Sequence, residues 1–272
     1  MNEWENCRLA IRAVELLSSA TVIISSIEML TNPSTISNKG LSSWPVSQLA
    51  SRWTAASSFQ QSVGRLLVYP HVLGLFVFRL VCAIILVSTG NDQPHLHASL
   101  TGLLFLSSVL LTVRSPYGHD GADQMSTITF LALAFAYAIH STISLNIALW
   151  FVALQSCLSY FTAGYAKLVS PLWRSGKGLE GILKTSIYGH RLAGKLVTAF
   201  HPLAKWGSWL TISFECLFVL TLAGIPFLTC LLLGTGILFH LLNAIFMRLN
   251  TFFWSFLATY PAVLYCAGVY FN

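Results

Sequence analysis

The sequence predicts an all-α, polytopic integral membrane bundle, and three observations carry the prediction. Hydrophobic residues fill 55% of 272 positions. Charged residues make up only 9%, against about 25% in soluble globular chains. Mean hydropathy is +0.70, and the apolar residues gather in runs close to the roughly 20 residues that a membrane helix needs.

Taken in order, the first segment spans about 8–30 and is interrupted by Arg8, Arg12, Glu15 and Glu28. Charges also break the apolar run of "ENCRLAIRAVELL", so it does not read as a signal peptide and is expected to stay in the mature protein. A polar connection over about 31–65 carries Lys39, Arg52 and Arg65, with Trp44 and Trp53 as interface anchors. The clearest spans follow, at about 66–88, 96–113, 145–168, 207–224, 226–248 and 252–271. Between them, about 125–141 ("MSTITFLALAFAYAIHS") is short enough to be interfacial or re-entrant. This gives about seven or eight membrane segments in one helical domain, 1–272.

The connection over about 170–206 holds Arg174, Lys177, Lys184, Arg191, Lys195 and Lys205 against Glu180 alone, which marks it as cytoplasmic. If 125–141 crosses fully, then 31–65, 114–124 and 170–206 share that side. The net charge of +6 comes from few charges and reads as topology, not as the footprint of a nucleic-acid partner. The six cysteines form no CxxC pair and no zinc spacing, and are expected as small hydrophobes.

Charge at membrane depth costs at least about 2.5–3.5 kcal/mol on insertion scales, which makes each such residue a functional candidate. In "YFTAGYAKLVSPLW", Tyr160, Gly164 and Lys167 fall on one helical face. Gly164 leaves room there for a ligand or a neighbouring helix. Lys167 reads either as a snorkelling interfacial anchor or as a base, because desolvation disfavours an ammonium and a neutral amine accepts protons. His240 and Asn243, in "FHLLNAIFM", share a face. They would orient a bound head group or tie helices together. Glu215 sits inside "WLTISFECLFVL" and needs a cationic partner or a proton; Lys167 or Arg248 could supply the charge, in an ion pair or for a catalytic acid.

The run "RSPYGHDGADQM" sets Asp120 and Asp123 in a Gly-containing loop. Asp-x-x-Asp suits magnesium with substrate phosphates, and Arg114, Arg174 and Lys177 would then face a diphosphate. A tight turn fits the same residues. His95 and His97 lack a third convergent ligand and are weak as a metal site.

As an ordered set, these residues resemble the membrane domain shared by vitamin K-dependent gamma-carboxylase and its shorter bacterial relatives, the horizontally transferred transmembrane domain family. "YFTAGYAKL" with Trp173 and Gly176, and "FHLLNAIFMRLNTFFWSFLATYP", carry the resemblance, which covers roughly 60–265. It implies that Lys167 deprotonates a reduced quinone, and a looser match in "HLHASLTGLLFL" brings the catalytic histidine onto His97. "HDG" brings in Asp120 by position alone. The carboxylase continues into a large lumenal domain that this chain is not expected to have, so carboxylation of a protein substrate is not expected. If 125–141 crosses fully, His97 and Lys167 would lie about 25–30 Å apart, near opposite faces.

Three functions are compatible with this reading. The first is an enzyme of a bacterial cytoplasmic membrane that acts on a lipophilic isoprenoid. There Lys167 takes a proton from a reduced quinone, oxygen (O2) chemistry follows, and His97, His240 and Asn243 hold the head group in a water-excluding pocket. The second is a terpene cyclase with magnesium and diphosphate at Asp120 and Asp123, and carbocations held by Tyr160, Phe161 and Trp173. The third is an accessory factor for maturation of, or immunity to, a secreted peptide toxin.

Overall fold

The computed structural model describes residues 2–40, 42–50, 57–90, 92–115, 120–186 and 188–268, apart from the side chains of Ala50, Phe59 and His201. Among them there is no strand, and the chain forms two compact units, 11–148 and 1–10 with 149–272. Among the described residues seven helices are long and apolar enough to cross a membrane. The chain is an integral, multi-pass helical membrane protein.

Helix α1, Glu3–Thr31, runs through the charges that interrupt the first segment. It passes into a 3₁₀ turn, Pro33–Ile36, then α2, Trp44–Ala50, and α3, Ser58–Leu67. Ser57 opens α3 with a capping box to Gln60, which satisfies otherwise orphaned backbone donors. Trp44, expected at an interface, is instead buried; Arg52 and Trp53 lie outside the described residues. Helices α4, His71–Ser88, α5, Pro94–Arg114, and α6, Gly121–Ile139, complete the unit together with the first turns of α7, Thr142–Val169. The segment expected near 125–141 is thus a 19-residue helix with the length and composition of a crossing one.

Two buried polar clusters lie within this unit. Glu15, fully buried, accepts from Arg12 at 2.7 Å, His97 Nδ1 at 2.6 Å and the Tyr137 hydroxyl at 2.7 Å. Arg12 also donates to the carbonyls of Leu86, Val87 and Thr89, the C-terminal acceptors that a helix leaves without partners. On α4, Arg79 donates to Ser107 and Ser108 of α5 at 2.6 and 2.9 Å, and both hydroxyls in turn donate to the Leu104 carbonyl.

The second unit takes the rest of α7, the short helices α8, Pro171–Arg174, α9, Lys177–Lys184, and α10, Arg191–Ala199, and then α11, His201–Leu217, which tightens into a 3₁₀ turn over Phe218–Leu222. Helix α12, Pro226–Met247, follows. The apolar run at 252–271, expected to cross, is instead broken into α13, Asn250–Leu257, and α14, Tyr260–Cys266. Pro261 supplies no backbone donor, and the Thr259 hydroxyl is bonded to the Phe256 carbonyl at 2.7 Å and to Ser156 at 2.9 Å, so the chain turns there. Neither piece is long enough to span.

The cysteines are free. Cys7, Cys82 and Cys157 are buried, as small hydrophobes would be, whereas Cys230 is exposed on α12.

Candidate functional site

The second unit gathers Lys167, Glu215, Tyr160, Gly164, Trp173 and His240. Helix α7 supplies Tyr160, Gly164 and Lys167 on one face. A Cβ built on Gly164 would lie 2.8 Å from both the Cys216 backbone nitrogen and the Glu215 Cβ, nearer than real Cβ atoms come. The missing side chain therefore lets α11 press onto α7; of the two occupants expected beside Gly164, the neighbouring helix fills the space. That approach delivers the Glu215 carboxylate to Lys167, whose Nζ donates to Oε1 at 2.9 Å and Oε2 at 2.7 Å. The two side chains are 19% and 5% exposed, so the lysine retains a path outward while the carboxylate is enclosed. Trp173, just beyond α7, sets its ring 5.2 Å from Nζ, within cation–π range.

Seven residues earlier on the same face, the Tyr160 hydroxyl meets His240 Nε2 at 2.7 Å and the Tyr260 hydroxyl at 2.9 Å. Aromatic rings enclose this chain of hydrogen bonds: Tyr160 stacks on Phe218 at 3.8 Å, and His240 on Phe256 at 4.7 Å. A Cβ on Gly236 would collide with the Tyr260 hydroxyl, so this glycine admits the tyrosine to α12. Among the described residues His240 Nδ1 has no hydrogen-bond partner. The group is thus a buried polar chain, on the same helix as a lysine that holds a carboxylate at hydrogen-bond distance.

The remaining candidates fall elsewhere. His97 belongs to the first unit, where Nδ1 faces the Glu15 carboxylate and Nε2 faces the Gly90 carbonyl at 3.0 Å. Both ring nitrogens have partners, Nε2 also lying 3.4 Å from the Thr89 hydroxyl, and neither is left for a head group. His97 and Lys167 thus have separate carboxylate partners in separate units. Arg114, expected to face a diphosphate, is instead buried and donates to the Leu67 and Ile36 carbonyls at 3.0 and 2.6 Å. The ends of α3 and the 3₁₀ turn thus supply backbone acceptors to this guanidinium. Asp120 caps α6, its Oδ1 accepting from the backbone nitrogens of Ala122 at 2.9 Å and Asp123 at 3.1 Å, as an N-cap aspartate does. Among the described residues no group of three or more His, Cys, Asp or Glu side chains is arranged to hold a metal; His119 lies outside them. Arg174 ends α8 and is exposed. Asn243 is half-buried, and its carbonyl accepts from the Arg248 nitrogen that closes α12.

Sequence reading missed Tyr260, the Arg12–Glu15–His97–Tyr137 cluster and Arg79. Arg12 and Glu15 stand three apart in an apolar run, a spacing that brings helical side chains together. Arg79 sits inside one of the clearest spans, where an arginine is itself a signal.

Comparison of the chain with protein-family models, curated proteins and solved structures gave no match.

Proposed function

We propose that the protein is a membrane enzyme acting on a lipophilic, weakly acidic head group of the isoprenoid quinol type, with Lys167 as general base and Glu215 as its proton partner. The observation that carries this reading is the bidentate contact of Lys167 with Glu215 at 2.9 and 2.7 Å inside an otherwise apolar region. Proton transfer along either hydrogen bond leaves a neutral amine whose lone pair accepts the substrate hydroxyl proton. The re-formed ammonium then stabilises the resulting oxyanion at short range. Tyr160 and His240 offer the neighbouring hydrogen-bonding groups, and Trp173 gives the ammonium an aromatic face. The resemblance of "YFTAGYAKL" to the carboxylase motif supports the same role. Reaction of the deprotonated quinol with O2 would be the oxygenation step, and a bacterial cytoplasmic membrane is proposed on the same resemblance.

The diphosphate alternative draws less support, since the Asp120 carboxylate caps a helix and Arg114 is buried and donates to the backbone carbonyls of Leu67 and Ile36. Mass spectrometry of products from protein in lipid nanodiscs separates the two. Reduced naphthoquinone with O2 is expected to give an epoxide that Lys167→Ala abolishes and Asp120→Ala spares. A terpene hydrocarbon from an isoprenyl diphosphate with magnesium, lost in Asp120→Ala, would overturn the proposal.

A further inference from the structure

Helix α10 has three chemically distinct sides. Gly194 and Val197 are buried, and a Cβ on Gly194 would fall 3.0 Å from the Leu183 carbonyl oxygen, so this side seats against the end of α9. Leu192 and Leu196, at 66% and 59% exposure, form a second, apolar row at i and i+4, and Phe200, 65% exposed, joins α10 to α11. Arg191 and Lys195, both exposed, form a third row beside it. Nine residues rise only about 14 Å, far short of a bilayer core. Beyond Phe200, Leu203 and Trp206 are 50% and 76% exposed, within Pro202–Leu222, one of the seven candidate spans. Lys205 stands beside that tryptophan.

From this geometry we infer that α10 lies in the membrane interface as a docking surface for anionic lipid head groups, with Leu192, Leu196 and Phe200 turned into the acyl region and Arg191 and Lys195 turned to lipid phosphates. Chain continuity fixes the occupant. Phe200 alone separates α10 from α11, which lies in a candidate span, so the layer that covers α11 lies within reach of α10. The charge fixes the lipid class, because the 170–206 connection carries six basic residues against Glu180, and basic side chains near a surface favour anionic lipids. Trp206 occupies the level where tryptophan anchors gather. The inference is independent of the chemistry at Lys167.

The test is a fluorescent probe (NBD) on Leu196→Cys in the full chain, after Cys216, Cys230 and Cys266 have been changed to alanine, in nanodiscs containing acyl-brominated phosphatidylglycerol or phosphatidylcholine. Emission is expected to be blue-shifted and quenched, more strongly by the brominated phosphatidylglycerol, while the same probe at Thr198, on the other side of the helix, stays unquenched. Arg191→Gln with Lys195→Gln is expected to erase the lipid preference, roughly fivefold for each residue removed, while quenching itself persists. An unquenched Leu196 probe would overturn the inference and assign the row to water, a protein or a second copy. Equal quenching by both lipids in the parent would overturn the anionic selectivity.

Discussion

Breaking the Lys167–Glu215 pair from each side in turn should give unequal losses, and the structure fixes their order. Lys167→Met strands a carboxylate that is 5% exposed, whereas Glu215→Gln strands an ammonium that is 19% exposed and can reach outward. Removing one partner of a fully buried pair costs about 3–5 kcal/mol. The carboxylate side approaches that range, so Lys167→Met is expected to lose about 3 kcal/mol. The lysine side is discounted for its route to the surface, and Glu215→Gln is expected to lose about 1–2 kcal/mol. The double variant leaves no charge behind and should lie well above the sum, with a coupling of about 1–3 kcal/mol. Unfolding midpoints of the four proteins in one detergent give the cycle directly. Additive single losses, or a larger loss for Glu215→Gln, would refute the claim that the two side chains form an enclosed pair with the carboxylate deeper.

Gly164→Ala should force α7 and α11 apart, since the added carbon meets backbone at 2.8 Å; a loss of about 1–3 kcal/mol is expected in the same assay, and an unchanged midpoint would contradict the close approach. Glu15→Gln should lose about 3–5 kcal/mol because the Arg12 guanidinium, His97 and the Tyr137 hydroxyl converge on that buried carboxylate. Arg79→Met is expected to have little effect or to stabilise. Its serine partners already donate to the Leu104 carbonyl, its Nε has no partner, and a buried cation bonded only to neutral acceptors is expensive to enclose. A fall of more than about 2 kcal/mol would show that the arginine fastens α4 to α5.

Most of the crossing helices were legible, because a run of about 20 apolar residues has few alternatives once backbone groups must be satisfied internally. The exception at 252–271 has a local cause: Pro261 and the Thr259 bonds interrupt a run that hydropathy alone reads as continuous. Within the site, the shared face of Tyr160, Gly164 and Lys167 follows from helical periodicity, and the need of Glu215 for a cation follows from burial. The choice of Lys167 over Arg248 was not legible, since it depends on how closely α11 approaches Gly164. Tyr260 was hidden for a similar reason, as its entry depends on the bare Cα of Gly236 in a different helix. Arg114 and Asp120 were readable as charged residues near a loop. Their partners are backbone groups, which leave no side-chain pattern to find.

The central claim is that Lys167 is a base and not merely a charge. Arginine keeps the positive charge and the paired hydrogen bonds to Glu215 but does not give up its proton in proteins. The decisive measurement is therefore epoxide formation from reduced naphthoquinone and O2 by Lys167→Arg in nanodiscs, alongside its unfolding midpoint. A midpoint close to that of the parent is expected, with epoxide formation reduced at least about a hundredfold. Epoxide formed at the parental rate by a folded Lys167→Arg protein would contradict it and leave the pair with a structural role alone.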